Sequence, residues 1–471
     1  MGSISTDSVG LVFIPPPLPG HLVSVIKFAT QLLERHPAFS ITILIIKPIF
    51  GPPPPTSSPH ESIHLAMLPE VEPPPHELIK ECIEQYVTDY TTSHRSHIKD
   101  AVINAVIPTA AIFFDLFSIQ TVDVAKELGL PAYLFYTSGA AFLGLTLHLP
   151  ERHDRVRAPF SGTDPDEIIP TFKSPFPPRF IPQFLHTKEG YANASSAGKK
   201  FREVKAIITN TFDDLEPYAV ESLRKDARNP PIYTVGPILD LVGQAHVKAH
   251  KDQHEKTMKW LNDQPDSSVV FLCFGTAGSM QEAQAREVAL GLIDSGARFL
   301  WAVRKPPPEG HTGPPTDYTA EELKELLPEL GPVLEKGQGM ICGWVPQAEV
   351  LAHNAILGFV SHCGWNSILE SLWYGRPIAA WPMYAEQQSN SFQLVRELGL
   401  AVELRLQYDK ESGDLVVADA VEKAIKSLTD PDNEVHAKAK DMAEKSKKAV
   451  AKGGSSYNFI GQLIDEILSL K

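Results

Sequence analysis

Cysteine is scarce in this chain, with four residues in 471 (Cys82, Cys273, Cys342 and Cys363), and they lie far apart. Such spacing excludes a Cys-x-x-Cys redox pair and a zinc module, and it leaves reduced thiols in a cytoplasmic protein as the expectation. Long apolar runs are missing too: no stretch approaches the roughly 18 residues that a membrane span needs. There is no basic excess. Lys and Arg number 43 against 57 Asp and Glu, a formal net charge of −14. That balance excludes a protein that neutralises nucleic-acid phosphates or lies broadly on an anionic membrane, while leaving room for a local anion site. Met1 to Gly10 lacks a basic region followed by an apolar run, so no secretory signal is expected. The sequon at Asn193-Ala194-Ser195 then carries little. The opening MGSIST matches the loose N-myristoylation pattern, although one acyl chain would anchor only marginally.

What is present is a folded, divided chain. With 43% hydrophobic and 21% charged residues the composition is globular. Because single cores stop growing at about 250 to 300 residues, two domains are expected. Short β-branched runs alternate with amphipathic stretches, as in βα units around parallel sheets. Gly10–Ile14, Ser40–Ile46, Ala110–Phe114, Ala132–Phe135 and Ala206–Thr209 read as strands. Between the first two, Leu22, Val25, Ile26, Ala29, Leu32 and Leu33 recur at helical spacing. The alternation restarts at Ser268–Phe274 and continues through Phe299–Val303, Gly339–Cys342, Ile356–Val360 and Pro377–Trp381. The fold class is therefore α/β. Domains are expected over 1–236 and 256–452, with a polar linker at 237–255 and a final helix within 453–471 whose stripe, Phe459 to Leu468, must pack on something. Proline-rich segments at Pro15–Pro19, Pro52–Pro55, Pro170–Pro182 and Pro306–Pro315 read as loops of restricted shape.

The strongest signal runs from Trp344 to Gln387. A buried-looking strand, Ile356–Val360, leads through Ser361-His362-Cys363-Gly364 into an amphipathic helix from about Trp365. A helix start directly after a parallel strand presents backbone N–H groups and a positive dipole end, a ready site for phosphate. Gly364 lets backbone approach closely, and His362, Asn366 and Ser367 add donors at the same end. Glu370, one turn on from Asn366, can accept from both ribose hydroxyls, and Trp344 can stack on a flat base. Taken singly, each has a plainer reading: Asn366 as a cap, Trp344 as core, Glu370 as a solvated helix face.

This 44-residue stretch closely resembles the signature box of plant family 1 UDP-glycosyltransferases, from its start through the HCGWNS core to the closing Glu386-Gln387 pair. The resemblance extends to the FGTAGSM loop at Phe274–Met280 and the WLNDQP phrase at Trp260–Pro265. It implies the GT-B architecture, two Rossmann-like domains facing across a cleft, with the C-terminal helix returning to the first domain. It also implies donor contacts by residue: Trp344 and Gln347 at the uridine, Glu370 at the ribose, and His362, Gly364, Asn366 and Ser367 at the diphosphate with Thr276 and Gly278. Trp365, Glu386, Gln387 and, from the first domain, Thr137 would meet the sugar. A terminal Gln is the family's companion of glucose.

Transfer from a UDP-sugar needs a base to activate a hydroxyl. His21 sits behind the Pro19-Gly20 turn after the first strand, and Asp115 ends the strand Ala110–Phe114; both lie at carboxyl edges, where ligands of parallel sheets bind. By themselves they could be a helix-start histidine and a cap, but both match the family's dyad in position and phrase. Ser24 replaces a common proline after the Gly-His pair, and Thr276 a common serine. One base without an evident second carboxylate nucleophile, together with the family resemblance, implies inversion. The acceptor is expected to be a small apolar molecule with a hydroxyl: a flavonoid, another phenolic, a terpenoid or a hormone. Phe117, Phe142 and Leu145 stand equally as its pocket and as core. A monomer with neither cofactor nor metal is expected. His60-Glu61-Ser62-Ile63-His64 follows a proline-rich run and lacks the helix a zinc site needs. Asp164-Pro165-Asp166 and Asp430-Pro431-Asp432 read as turns. Two alternatives stand beside the transferase: a nicotinamide- or flavin-dependent oxidoreductase, which the missing G-x-G-x-x-G spacing disfavours, and a catalytically silent UDP-sugar-binding protein.

Overall fold

The computed structural model describes residues 8–49, 54, 60–241, 251–308, 313–407 and 413–470; the MGSIST start and positions 242–250 of the linker expected at 237–255 lie outside them. Two compact units result, one comprising Met1–Pro178, Gln183–Leu239 and Lys448–Lys471, the other Arg179–Pro182 and Asp240–Lys447.

The first unit is built on seven parallel strands: β1 (Val9–Ile14), β2 (Phe39–Ile45), β3 (Ile63–Met67), β4 (Thr109–Asp115), β5 (Ala132–Tyr136), β6 (Ala206–Thr209) and β7 (Ile232–Thr234), in the order β3-β2-β1-β4-β5-β6-β7. Strand order reverses between β1 and β4. β1 is buried at every position, which explains its continuous apolar run. The helix Pro19–Arg35 buries Leu22, Val25, Ile26, Ala29, Leu32 and Leu33 against this sheet. Phe13 stacks on Phe113 with ring centroids 4.3 Å apart, and Phe28 stacks on Phe135 at 4.7 Å. Each such pair adds about 0.5–1.5 kcal/mol beyond its buried area.

The C-terminal helix, Ser455–Leu468, sinks Ile460, Leu463, Ile464 and Ile467 into the same core. Its Glu466 accepts hydrogen bonds from the phenols of Tyr133 (2.8 Å) and Tyr233 (2.9 Å), and Arg35 lies over the ring of Tyr457 at 3.6 Å. The helix is thus an integral layer of the first unit.

The second unit repeats the plan. Its six-stranded parallel sheet comprises β8 (Val269–Cys273), β9 (Arg298–Ala302), β12 (Gly339–Cys342), β13 (Ile356–Ser361), β14 (Ile378–Ala380) and β15 (Ala401–Glu403), in the order β12-β9-β8-β13-β14-β15. Here the reversal falls between β8 and β13. A short antiparallel hairpin, β10 (Arg304–Lys305) with β11 (Thr316–Asp317), follows β9. No helix among the described residues is long and apolar enough to cross a membrane.

Some expectations need correction and others hold. Lys251–Glu255, read as linker, begin a helix, Lys251–Asn262, whose buried residues Thr257 and Leu261 lie just beyond the polar stretch. The strands β7 and β15 escaped notice because they are short and lie at sheet edges; β3, also at an edge, has only Ile63 buried. The H-E-x-x-H stretch runs from a turn, where the Ser62 amide donates to His60 Nδ1 at 3.0 Å, into β3, so its histidines share no helix face. Asp164 accepts from Arg152 and the Ser161 amide, and Asp430 from the Asp432 amide, as turn carboxylates do.

Truncating the wholly buried Leu463 tests the place of the last helix. Leu463→Ala is expected to lower the stability of the first unit by about 2–5 kcal/mol in denaturant unfolding, whereas Asp465→Ala, on the exposed face, should change it little.

Candidate functional site

The reversals of strand order place two clusters of polar residues, one per sheet. In the first unit, β1 ends at Ile14 and a proline-rich turn leads into the helix Pro19–Arg35, with His21 as its third residue. Asp115 ends the neighbouring β4. The two side chains meet with His21 Nδ1 2.9 Å from Asp115 Oδ2; the carboxylate is fully buried while the imidazole remains 23% exposed.

Other groups fix this pair. Ser118 receives the Asp115 amide at 2.8 Å and donates to the Ile14 carbonyl at 2.6 Å, stapling the ends of β1 and β4. The Phe117 amide donates to Asp115 Oδ1 at 3.1 Å. Thr137, just after β5, donates to Asp115 Oδ2 at 3.3 Å and lies 3.0 Å from His21 Nδ1. With a carboxylate accepting at Nδ1, the imidazole proton sits there and Nε2 carries the basic lone pair. Phe117 sets its ring against the imidazole, centroids 5.5 Å apart. Phe142 packs beside Tyr136, and Leu145 is wholly buried.

In the second unit, β8 gives way to the turn Phe274–Gly278, and β13 runs through His362, Cys363 and Gly364 into the helix Trp365–Trp373, capped by no side chain at Gly364. Cys363 adopts a positive φ of 60°, unusual for a residue with a side chain, and is held by the Ser361 hydroxyl, which accepts its amide, and by Asn390, which donates to its carbonyl. His362 is 5% exposed, and burial pulls its imidazole down to about 4. It is therefore neutral at pH 7 and offers a dipole. A Cβ at either Gly275 or Gly364 would fall 2.6 Å from His362 Nε2, so both turns close on the imidazole only because neither carries a side chain.

Gln347 donates to Ser367 Oγ at 2.9 Å and to Glu370 Oε2 at 2.7 Å. Burial pushes the Glu370 carboxyl up to about 7, against the opposing effect of that hydrogen bond. After β14, Gln387 is 2% exposed, and its Oε1 accepts from the amides of Met383 (2.9 Å) and Tyr384 (3.0 Å). With its carbonyl so engaged, its amide nitrogen can only donate. Glu386 immediately precedes the helix Gln387–Phe392 without a side-chain capping hydrogen bond, and Ala385 before it has φ 52°. Trp365 is nearly buried, Thr276 is exposed, and Trp344 is partly exposed beyond the end of β12. Among the described residues, no three His, Cys, Asp or Glu side chains gather as a metal site.

The UDP-glucoronosyl and UDP-glucosyl transferase family model matches residues 191–433. UDP-glycosyltransferase 71K1 of Malus domestica is 44% identical, over 98% of this chain and 99% of its own. UDP-glucose flavonoid 3-O-glucosyltransferase 6 of Fragaria ananassa is 41% identical, over 97% and 98%. The crystal structure of Medicago truncatula UGT71G1 complexed with UDP-glucose superposes with a TM-score of 0.89 at 42% identity, covering 99% of both chains. The chain belongs to the plant UDP-glycosyltransferases.

Its two sheets are the Rossmann-like halves of the GT-B fold, and membership sets aside the oxidoreductase alternative. Reading the glycosyltransferase from sequence missed three relations. Thr137, assigned to the sugar, also contacts the His21–Asp115 pair. Gln347, assigned to the uridine, ties Ser367 to Glu370. Ser118 was not singled out, although a serine three residues after a strand-end aspartate is a common turn signal.

The close approach at His362 can be tested directly. Gly275→Ala would place a methyl against the imidazole at φ 75°. This variant of the glycosyltransferase is expected to bind UDP at least about tenfold more weakly by calorimetry.

Proposed function

We propose that the enzyme transfers glucose from UDP-glucose to a hydroxyl of a small aromatic acceptor, with inversion, using His21 as general base and Asp115 as its partner. The observation that carries this reading is the 2.9 Å contact between a partly exposed imidazole and a fully buried carboxylate at the strand-order reversal of the first sheet. The acceptor O–H gives its proton to Nε2 of His21, and the oxygen forms a bond to the anomeric carbon as the bond to UDP breaks and the diphosphate leaves. Asp115, already holding Nδ1–H, stabilises the imidazolium. Phe117 beside the imidazole supports a flat phenolic acceptor.

For the donor, the 361–367 turn and helix start offer backbone and neutral side-chain donors to a diphosphate, which supports binding without a metal. Trp344 is read as the base-stacking platform and Glu370 as the acceptor of the ribose hydroxyls. The relatives named for UDP-glucose support glucose as the sugar. Gln387, restricted to donating, supports discrimination of hydroxyl direction, since an epimer with a misdirected hydroxyl leaves that donor unpaired.

Purified enzyme, treated with EDTA and given equal UDP-glucose and UDP-galactose with a panel of phenols, is expected to form mainly β-glucosides by mass spectrometry; predominant galactosides or α-products would overturn the reading. His21→Ala and Asp115→Asn should each cut turnover about 100- to 10,000-fold on a weakly acidic alcohol while UDP affinity stays unchanged.

Glu370 provides a pH test. Its carboxyl stands near 7 in the unliganded chain, and ribose hydroxyls donating to it favour the ionised form, so binding releases a proton. UDP affinity is therefore expected to rise as pH increases from about 6, levelling off above about 8, by up to tenfold per unit below the midpoint. Calorimetry of Glu370→Gln should show this dependence flattened.

A further inference from the structure

The hairpin β10–β11 belongs to neither sheet and takes no part in the reading above, yet it grips the residue just before Trp344. Arg304 and Asp317 face each other across its register, with Arg304 Nε 2.8 Å from Asp317 Oδ1 and the guanidinium also donating to the carbonyl of Pro315. The same Oδ1 accepts the backbone amide of Trp344 at 3.3 Å. At Gly343 a Cβ would fall 2.3 Å from the Asp317 carboxyl carbon, so the carboxylate packs directly on the backbone that leads into the tryptophan. Val303, between β9 and β10, donates its amide to the Cys342 carbonyl at 3.0 Å, joining the root of the hairpin to the end of β12. The chain from Cys342 to Trp344 is thus held at its start by a main-chain bond and at its end by a carboxylate whose direction Arg304 sets.

We infer that Asp317, oriented by Arg304, is a positioning residue for donor binding, fixing the backbone from which the Trp344 indole stacks on the uracil of the UDP-sugar. This rests on the reading of Trp344 as the base platform. Stacking rewards an aromatic plane held in one place, because a mobile ring loses on binding the freedom that a fixed ring has already given up. Trp344 leaves the sheet at its edge strand, β12, which has a neighbour on one side only. The hairpin supplies the restraint that a second neighbouring strand would otherwise give.

The experiment is a double-mutant cycle read by UDP calorimetry and by steady-state kinetics with UDP-glucose, on variants whose melting profiles match the parent enzyme. Asp317→Ala is expected to weaken UDP binding, and to raise the KM for UDP-glucose, by about fivefold to thirtyfold, the worth of one charge-assisted hydrogen bond. Its kcat at saturating donor should fall less than about twofold, the mark of lost ground-state binding. Asp317→Asn, which keeps an acceptor for the Trp344 amide, should recover most of the affinity. Arg304→Gln provides a second route to the same loss should the alanine variant fold poorly. In a Trp344→Ala background, Asp317→Ala should have no further effect. Full additivity in that background, or wild-type affinity in Asp317→Ala while Trp344→Ala is weakened, overturns the inference and leaves the platform standing. Wild-type UDP affinity in Trp344→Ala removes the platform itself, and the inference with it.

Discussion

A parallel sheet whose crossovers run first one way and then the other leaves one pair of adjacent strands with carboxyl ends that no crossover bridges. Both units of this chain contain such a pair, β1 with β4 and β8 with β13. The central polar residues of each unit sit at those two gaps. His21 and Asp115 leave the ends of the first pair, and the turns Phe274–Gly278 and Ser361–Gly364 leave the ends of the second. Residues far apart in sequence become neighbours there because the hydrophobic strands beneath them have only one low-energy order. Burying the apolar runs fixes the site, so the polar cluster needs no covalent staple in a chain whose four cysteines form no disulfide.

The two gaps handle charge in opposite ways. At the first, a buried carboxylate is kept satisfied by three donors, from Phe117, Thr137 and His21. At the second, burial removes charge: His362 is held neutral and Glu370 stands near the middle of its titration at neutral pH. A site meant for a diphosphate benefits from donors that are already oriented and carry no counter-charge of their own, since neutral dipoles fixed by the fold need not be stripped of water when the anion arrives. The left-handed turn at Cys363 and the side-chain-free Gly275 and Gly364 permit that density of donors.

How much of this was legible depended on range. The helix start after β13 could be read because strand, turn and helix are contiguous, and the apolar periodicities at 22–33 and 356–360 mark the flanking elements directly. His21 and Asp115 could be named as candidates because each ends or follows an apolar run and both match the family's dyad in position and phrase. What sequence could not supply was which oxygen meets which nitrogen. Thr137 and His21 are 116 residues apart, and their hydrogen bond exists only because β5 is laid beside β4. Gln347 and Glu370 lie 23 apart on different elements, so their pairing depended on how two short helices cross. The strands β7 and β15 stayed hidden for a different reason: at three residues each, they are too short for an alternation to show.

Thr137 shows why such second contacts matter to the chemistry. A carboxylate oxygen serving one imidazole can let the ring swing, because a single hydrogen bond constrains direction weakly. When Thr137 donates to the same Oδ2 and lies within hydrogen-bond distance of Nδ1, the three atoms form a closed triangle that resists rotation of either partner. The ring also has Phe117 set against it, while part of it stays exposed. On the proposed reading, an acceptor must bring its hydroxyl to that exposed part, and the more apolar the rest of the acceptor, the more completely it strips water from a base whose partner carboxylate is already dry. Broad tolerance for the body of an acceptor and strictness about where its hydroxyl lies are then two consequences of the same fixed imidazole.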